Sequence, residues 1–263
     1  MRELVPYIGI CDFTNFGQVQ EMLEVFQANL PDGMNRKLMV GVMMSHKTLH
    51  DIPSKWADIF PKKRDVASIF DSEATLNCLH FVVNEEDSHE LWRDMAIALN
   101  PHCGLYIHAI QLDRAIWPDP GQIANGVHTA RYDDLIEVIL QINGSALDEV
   151  GNQPSELVEK LRDYETVIQR VLLDKSMGRG LPLNPEELAP YIRAIMQDLP
   201  WLKVSIAGGL GPDTLDAIKP LVAEFPDLSI DAQSKLRPSG NAMDPIDWEM
   251  AKTYLVKALE IFT

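Results

Sequence analysis

The chain has 263 residues, 46% hydrophobic and 24% charged, the composition of a folded globular protein and not of a disordered one. Lys and Arg number 23 against 39 Asp and Glu, for a net charge of −16, so neither nucleic acid nor an anionic membrane surface is expected as a partner. A small anion remains admissible, because a few local cations can dominate one pocket.

Short apolar runs alternate with longer amphipathic stretches. The first strand is expected at Tyr7–Phe13, followed by a helix over Gln18–Asn29 that gathers Val19, Met22, Leu23, Val25 and Phe26 on one side. Strand two is expected at Lys37–Met43, with a helical region over Ser54–Phe70. Strand three is expected at Asn77–Val83, with a helix over Asp87–Leu99, and strand four at Gly104–Leu112. The stretch holding Pro118, Pro120, Gly121 and Gly126 is expected to be loop. Strand five is expected at Ile136–Gln141, then a helix over Ser155–Tyr164 with Ser155 as its N-cap. Strand six is expected at Val167–Leu173, and its helix starts at Pro185 behind Asn184. Strand seven is expected at Lys203–Ala207, with a helix opening at Pro212–Asp213 and ending near Phe225. Strand eight is expected at Leu228–Ala232, and a last helix runs from Pro245 to Phe262.

Eight βα units in strict alternation imply a parallel sheet. At this length the α/β class closes most naturally as a single (β/α)8 barrel over residues 1–263. The rival is a doubly wound open sheet. Its glycine fingerprint is missing after strand one, where Cys11–Gly17 holds a single glycine. Three cysteines, Cys11, Cys78 and Cys103, suggest neither a disulfide framework nor a zinc knuckle, and fit a reducing cytoplasm. Met1–Pro6 has no long apolar run, so no signal peptide is expected, and no stretch approaches the roughly 18 apolar residues of a membrane helix.

In such a barrel, function gathers at the C-terminal strand ends. The polar residues there are Cys11, Asp12 and Thr14; Ser45, His46 and Lys47; Asn84 and Glu85; Gln111, Asp113 and Arg114; Asn143; Asp174 and Lys175; Gly208 and Gly209; and Gln233, Ser234, Lys235 and Arg237. Gly208-Gly209-Leu210-Gly211-Pro212 suits a phosphate loop, since glycines let backbone amides approach an oxyanion and Pro212 would start a helix. Ser234, Lys235 and Arg237 would add donors or charge. Strand alternation puts Cys11 in the lumen near the mouth, as either a small buried hydrophobe or, where neighbours lower its pKa, a base. Cys78 and Cys103 fit packing roles at the barrel bottom. Asp174 is either an acid–base group or a loop cap, and Asp231 must be paired if buried. His108 faces the helices as a core histidine, while His46 is left unassigned. No His, Asp or Glu spacing argues for a metal site.

These stretches resemble the phosphoribosylanthranilate isomerase family of the tryptophan pathway. Its first strand reads Lys-x-Cys-Gly-x-Thr, and Gly9-Ile10-Cys11-Asp12-Phe13-Thr14 keeps the Cys and Thr. Its third strand ends Phe-Val-Asn-Glu, close to Phe81-Val82-Val83-Asn84-Glu85. Its Gln-Leu-His-Gly becomes Gln111-Leu112-Asp113-Arg114. Leu172-Leu173-Asp174 with Gly178-Arg179-Gly180, then Gly208-Gly209-Leu210, follow in order, and Asp231 and Ser234 match in the eighth strand. The chain is longer than the family, which implies insertions near 113–135 and 144–165.

The resemblance implies a cofactor-free Amadori rearrangement of a small phosphorylated anionic substrate, with Asp174 as general acid and Cys11 as general base. It also implies substrate contacts from Lys47, Gln111 and Asp231, and phosphate binding by Gly208, Gly209, Ser234 and Lys235. A homodimer is left open. The departures lie in the site itself. Lys235 replaces a phosphate-loop glycine, Asp113 replaces a histidine, and Asp12 replaces a glycine where its charge would raise the Cys11 pKa. Two alternatives stay open: another phosphometabolite enzyme (an epimerase, or an aldolase with Lys175 or Lys235 as Schiff base), and a barrel that binds without catalysis.

Overall fold

The computed structural model describes residues 4–56, 59–70, 72–83, 90–100, 106–113, 116–130, 136–174 and 183–263. Eight strands close a parallel barrel in chain order: β1 (Tyr7–Ile10), β2 (Lys37–Ser45), β3 (Leu76–Val82), β4 (Ala109–Asp113), β5 (Glu137–Asn143), β6 (Arg170–Asp174), β7 (Lys203–Ile206) and β8 (Ser229–Ala232), the last pairing back onto β1. The expected (β/α)8 fold is therefore the observed one. Around it lie α1 (Phe16–Asn29), α2 (His46–Leu49), α3 (Lys63–Ile69), α4 (Leu91–Ala98), α5 (Pro120–Ala130), α6 (Gly144–Glu149), α7 (Pro154–Arg162), α8 (Pro185–Asp198), α9 (Lys219–Glu224) and α10 (Trp248–Ile261). No helix among the described residues is long and apolar enough to cross a membrane.

Strand alternation sorts the core into two layers. Ile8, Ile10, Leu38 and Val40 face the helices, while Tyr7, Cys11, Met39, Cys78, Ala109, Ile139 and Leu172 fill the lumen. Cys78 is fully buried there, as expected, whereas Cys103 lies outside the described residues.

Four local expectations are corrected. The stretch expected as loop contains α5. Pro120 is its first residue, where a missing N–H costs nothing. Gly126 lets α5 press onto α4, since a Cβ there would lie 2.7 Å from Met95 Cβ. Ser155 is not a cap, because Pro154 takes the first position of α7 and Gln153 the cap. No helix opens at Pro212. Thr214 Oγ1 donates to the Gly209 carbonyl (2.6 Å) and accepts from the Gly211 amide (2.9 Å), which holds a turn until a 3₁₀ segment at Leu215–Ile218. The region after β2 carries α2, capped by Ser45, before α3. The segments expected as insertions hold α5 in one case and α6 and α7 in the other.

At the N-terminal end the lumen is closed by an ion pair that strand patterning did not single out. Arg170, 1% exposed, donates to Glu137 (2.5 Å), to Ser229 Oγ (2.8 Å) and to the Val5 carbonyl (3.1 Å), and its guanidinium lies over the Tyr7 ring. Removing one partner would leave the other as an unpaired buried charge. Arg170→Met is expected to destabilise the fold by about 3–5 kcal/mol, and Arg170→Met combined with Glu137→Gln to recover most of that loss. Denaturant midpoints of the two variants check this, and an equally unstable double variant would contradict it.

Candidate active site

The C-terminal strand ends open into one cavity of about 1070 Å³. Cys11 and Asp231 enter it from neighbouring strand ends, because the Cys11 amide continues the β1–β8 ladder onto the Ala232 carbonyl (3.1 Å). Two glycines make the room. A Cβ at Gly41 would meet Cys11 Sγ at 2.7 Å, and one at Gly9 would meet Asp231 Oδ1 at 2.8 Å.

Cys11, His80 and Asp231 form a buried cluster. The thiol donates to the Asp231 carboxylate at 3.4 and 3.5 Å, and His80 Nδ1 lies 3.2 Å from the sulfur. The other ring nitrogen of His80 lies 3.3 Å from Asp113 and 3.4 Å from Gln111 Nε2. Gln111 donates to Gln141 (2.8 Å), which donates to Asp174 (3.2 Å). A polar chain thus runs from Cys11 across the floor of the cavity to Asp174. Gln111 Oε1 is buried and has no partner among the described residues.

Burial sets the electrostatics first. It pushes the Cys11 thiol well above its usual range, and Asp231 and Asp12 push further in the same direction. The neighbours therefore hold Cys11 protonated and do not produce the low-pKa thiolate that a base on its own would need. Burial lifts Asp231 to about 6, helped by Asp174 and opposed by His80 and Cys11. Burial works against a charged His80, but the hydrogen bond and charge of Asp113, backed by Asp231 and Asp12, outweigh it and raise the imidazole pKa.

Asp12 adopts a left-handed conformation (φ 71°) beside the site. It is buried, paired with Arg237, and accepts from Gln233 at 3.1 and 3.2 Å. The guanidinium expected to help bind phosphate is therefore committed to Asp12. Asp113 is committed in the same way to His80.

Of the residues expected to act, Cys11, Asp174, Lys47, Gln111 and Asp231 line the cavity, as do Gly208, Gly209 and Ser234. Gly208 (φ 111°) and Gly209 (φ 62°) are both left-handed, and among the described residues no acceptor takes their amides. The Lys235 Cβ and backbone carbonyl pack where a Cβ on Gly211 would fall, 2.7 Å away, so that glycine lets the loops after β7 and β8 touch. Thr14 is exposed and tied to Gln18 (2.8 Å), and Asn143 caps α6 through the Ala146 amide (3.0 Å). His108 accepts from the Asn77 amide (3.1 Å), a satisfied structural histidine. Asn84, Glu85, Arg114, Lys175 and 178–180 lie outside the described residues.

His80 lies within a strand by sequence and receives no catalytic role there. Alternation along β3 from the lumenal Cys78 puts it on the inner face, and that signal was present. Its partners come from β1, β4 and β8, and only barrel closure brings them together.

Among solved structures, the chain is similar to a phosphonopyruvate hydrolase at 13% identity and a TM-score of 0.52, covering 86% of this chain and 74% of that one. It is also similar to the tryptophan synthase alpha subunit of Legionella pneumophila strain Paris at 13% identity and a TM-score of 0.53, covering 98% and 93%. At this identity the likeness shows the fold alone, a closed (β/α)8 barrel. No family model and no curated protein matches the chain.

Proposed function

We propose that the protein is an acid–base isomerase of a small phosphorylated sugar amine, carrying out an Amadori rearrangement without a cofactor. The observation that supports this most is the Cys11–Asp231–His80 cluster, joined by a polar chain to Asp174 in the same cavity. The reaction needs one group to give a proton and another to take one.

Asp174 gives a proton to the ring oxygen as the nitrogen lone pair opens the furanose to a protonated imine. The C2′ proton then leaves to the Cys11 sulfur while the thiol proton passes to Asp231. The C2′–H electrons form the enamine, which tautomerises to the 1-deoxyketose. Asp231 is the final acceptor, so the high pKa of Cys11 is no obstacle to its work as a relay. A charged His80, oriented by Asp113, favours the carboxylate form of Asp231. The Gly208–Gly209 turn and Ser234 would receive the phosphate, and Lys47 the other anionic end.

With freshly prepared phosphoribosylanthranilate, Cys11→Ala and Asp174→Asn are each expected to lower kcat by about 10²- to 10⁴-fold. Solvent deuterium should enter C1′ of the 1-deoxyketose product in wild type, and this incorporation should be lost in Cys11→Ala. Ligand binding with no turnover and no exchange would leave a non-catalytic barrel, and a borohydride-trapped adduct would point to the aldolase alternative.

The pH profile follows from Asp231. Its carboxylate form is the acceptor and its pKa is about 6, so kcat/KM should fall roughly tenfold per unit below that pH. His80 lowers this pKa, so His80→Asn should move the acidic limb to higher pH. A limb that stays in place in His80→Asn would overturn the assignment of Asp231.

A further inference from the structure

A second group of donors converges away from the proton-carrying cluster. His46 and His50 sit one turn apart at α2, their rings 4.5 Å centroid to centroid. Asp94 reaches them from α4. His46 Nδ1 lies 2.8 Å from one carboxylate oxygen and His50 Nε2 lies 2.9 Å from the other. One donor atom from each of the three residues lies within 4.8 Å of the other two. The Asp94 side chain is 3% exposed, against 25% for His46 and 33% for His50. A carboxylate has been taken out of water with both oxygens aimed at imidazoles, while solvent still reaches the rings.

Two physical points favour a cation at this junction. Ligands about 2.0–2.1 Å from a tetrahedral divalent ion stand about 3.3–3.4 Å apart, roughly half an ångström beyond the N···O separations of 2.8 and 2.9 Å found. An ion can therefore replace the shared protons once the side chains part by about that much. The second point is charge. The cavity is lined by Asp12, Asp113, Asp174 and Asp231 against Lys47 and Lys55. His46 lines the same cavity beside Lys47, so an ion there would add positive charge to the rim of an acidic pocket.

We propose that His46, His50 and Asp94 bind one divalent late first-row transition ion of the zinc class at the cavity rim. Two imidazoles and a carboxylate are the donor set for such ions, and three protein ligands leave positions open. The ion ties α2 to α4 and offers an open position to the anionic end of the substrate. That last role rests on the function proposed above, and ion binding does not.

The test uses full-length protein stripped with a chelator and titrated with Zn²⁺ by calorimetry and with Co²⁺ by visible absorption. One ion per chain is expected. His50→Ala removes a direct ligand and should weaken binding by more than the roughly 10- to 100-fold typical of losing only an outer-shell partner. Zn²⁺ should raise the thermal midpoint of wild type and leave that of His50→Ala unmoved. In His50→Ala the buried Asp94 keeps His46 as its partner, and Asp94→Asn, which removes the buried charge itself, provides a second variant. No saturable binding at millimolar Zn²⁺, or equal binding by His50→Ala, would overturn the site. So would a thiolate-to-cobalt charge-transfer band that disappears in Cys11→Ser, which would place the ion on the other cluster. With the phosphorylated substrate, Zn²⁺ should lower KM several-fold and leave kcat unchanged; an unchanged KM would overturn the substrate contact. Zn²⁺ binding without turnover defeats the isomerase reading alone, and turnover without Zn²⁺ binding defeats this site alone.

Discussion

Four carboxylates meet at one end of a closed barrel, and each is matched to a different partner. Asp12 is held by Arg237 and Gln233, Asp113 by His80, Asp174 by Gln141, and Asp231 by the Cys11 thiol with His80 behind it. A buried charge without such a partner costs several kcal/mol, so the matching is a condition of folding as much as of chemistry. Asp231 has the weakest set, since a thiol is a poor donor and Asp174 adds to its negative surroundings. Burial, with Asp174 adding to it, lifts its pKa to about 6 against the opposing pull of His80 and the Cys11 thiol. Protonation near neutrality is therefore assigned by the network as a whole, and no one residue type decides it.

The lumen is stratified. The Arg170–Glu137 pair closes the N-terminal end, Cys78, Ala109, Ile139 and Leu172 make an apolar belt, and the polar chain from Cys11 to Asp174 lies above them. The belt keeps water from below and lowers the local dielectric, which strengthens each charge interaction over it. Gly9 and Gly41 serve the same arrangement, because side chains there would displace Asp231 and Cys11.

The rim is built to hold its shape. Thr214 ties Gly209 to Gly211, the β7 and β8 loops touch where Gly211 meets Lys235, and Lys257 of α10 donates to the Pro212 carbonyl (2.9 Å) and to Asp216 (2.7 Å). The left-handed glycines thus face the cavity from a braced turn. On the far side of the mouth α2 follows β2 directly, and its anchor to α4 is Asp94.

The periodic apolar runs were enough to establish the architecture, because alternation along each strand and strict βα order leave few ways to bury both faces of eight strands. Cys11 pointing inward at the mouth followed from the same alternation. Local signals failed where tertiary contact overrides them: Pro120 and Gly126 look like breakers, yet one starts α5 and the other seats it against Met95. The site was legible only as a set of strand ends. The sequence carries Arg237 and Asp113 as charges, and only the folded chain shows that they pair with Asp12 and His80. His46 and His50 are visibly one helical turn apart, but Asp94 is 44 residues further on from His50. Local sequence determines which face a residue takes. Which residue it meets depends on where the other seven strands and their helices come to rest.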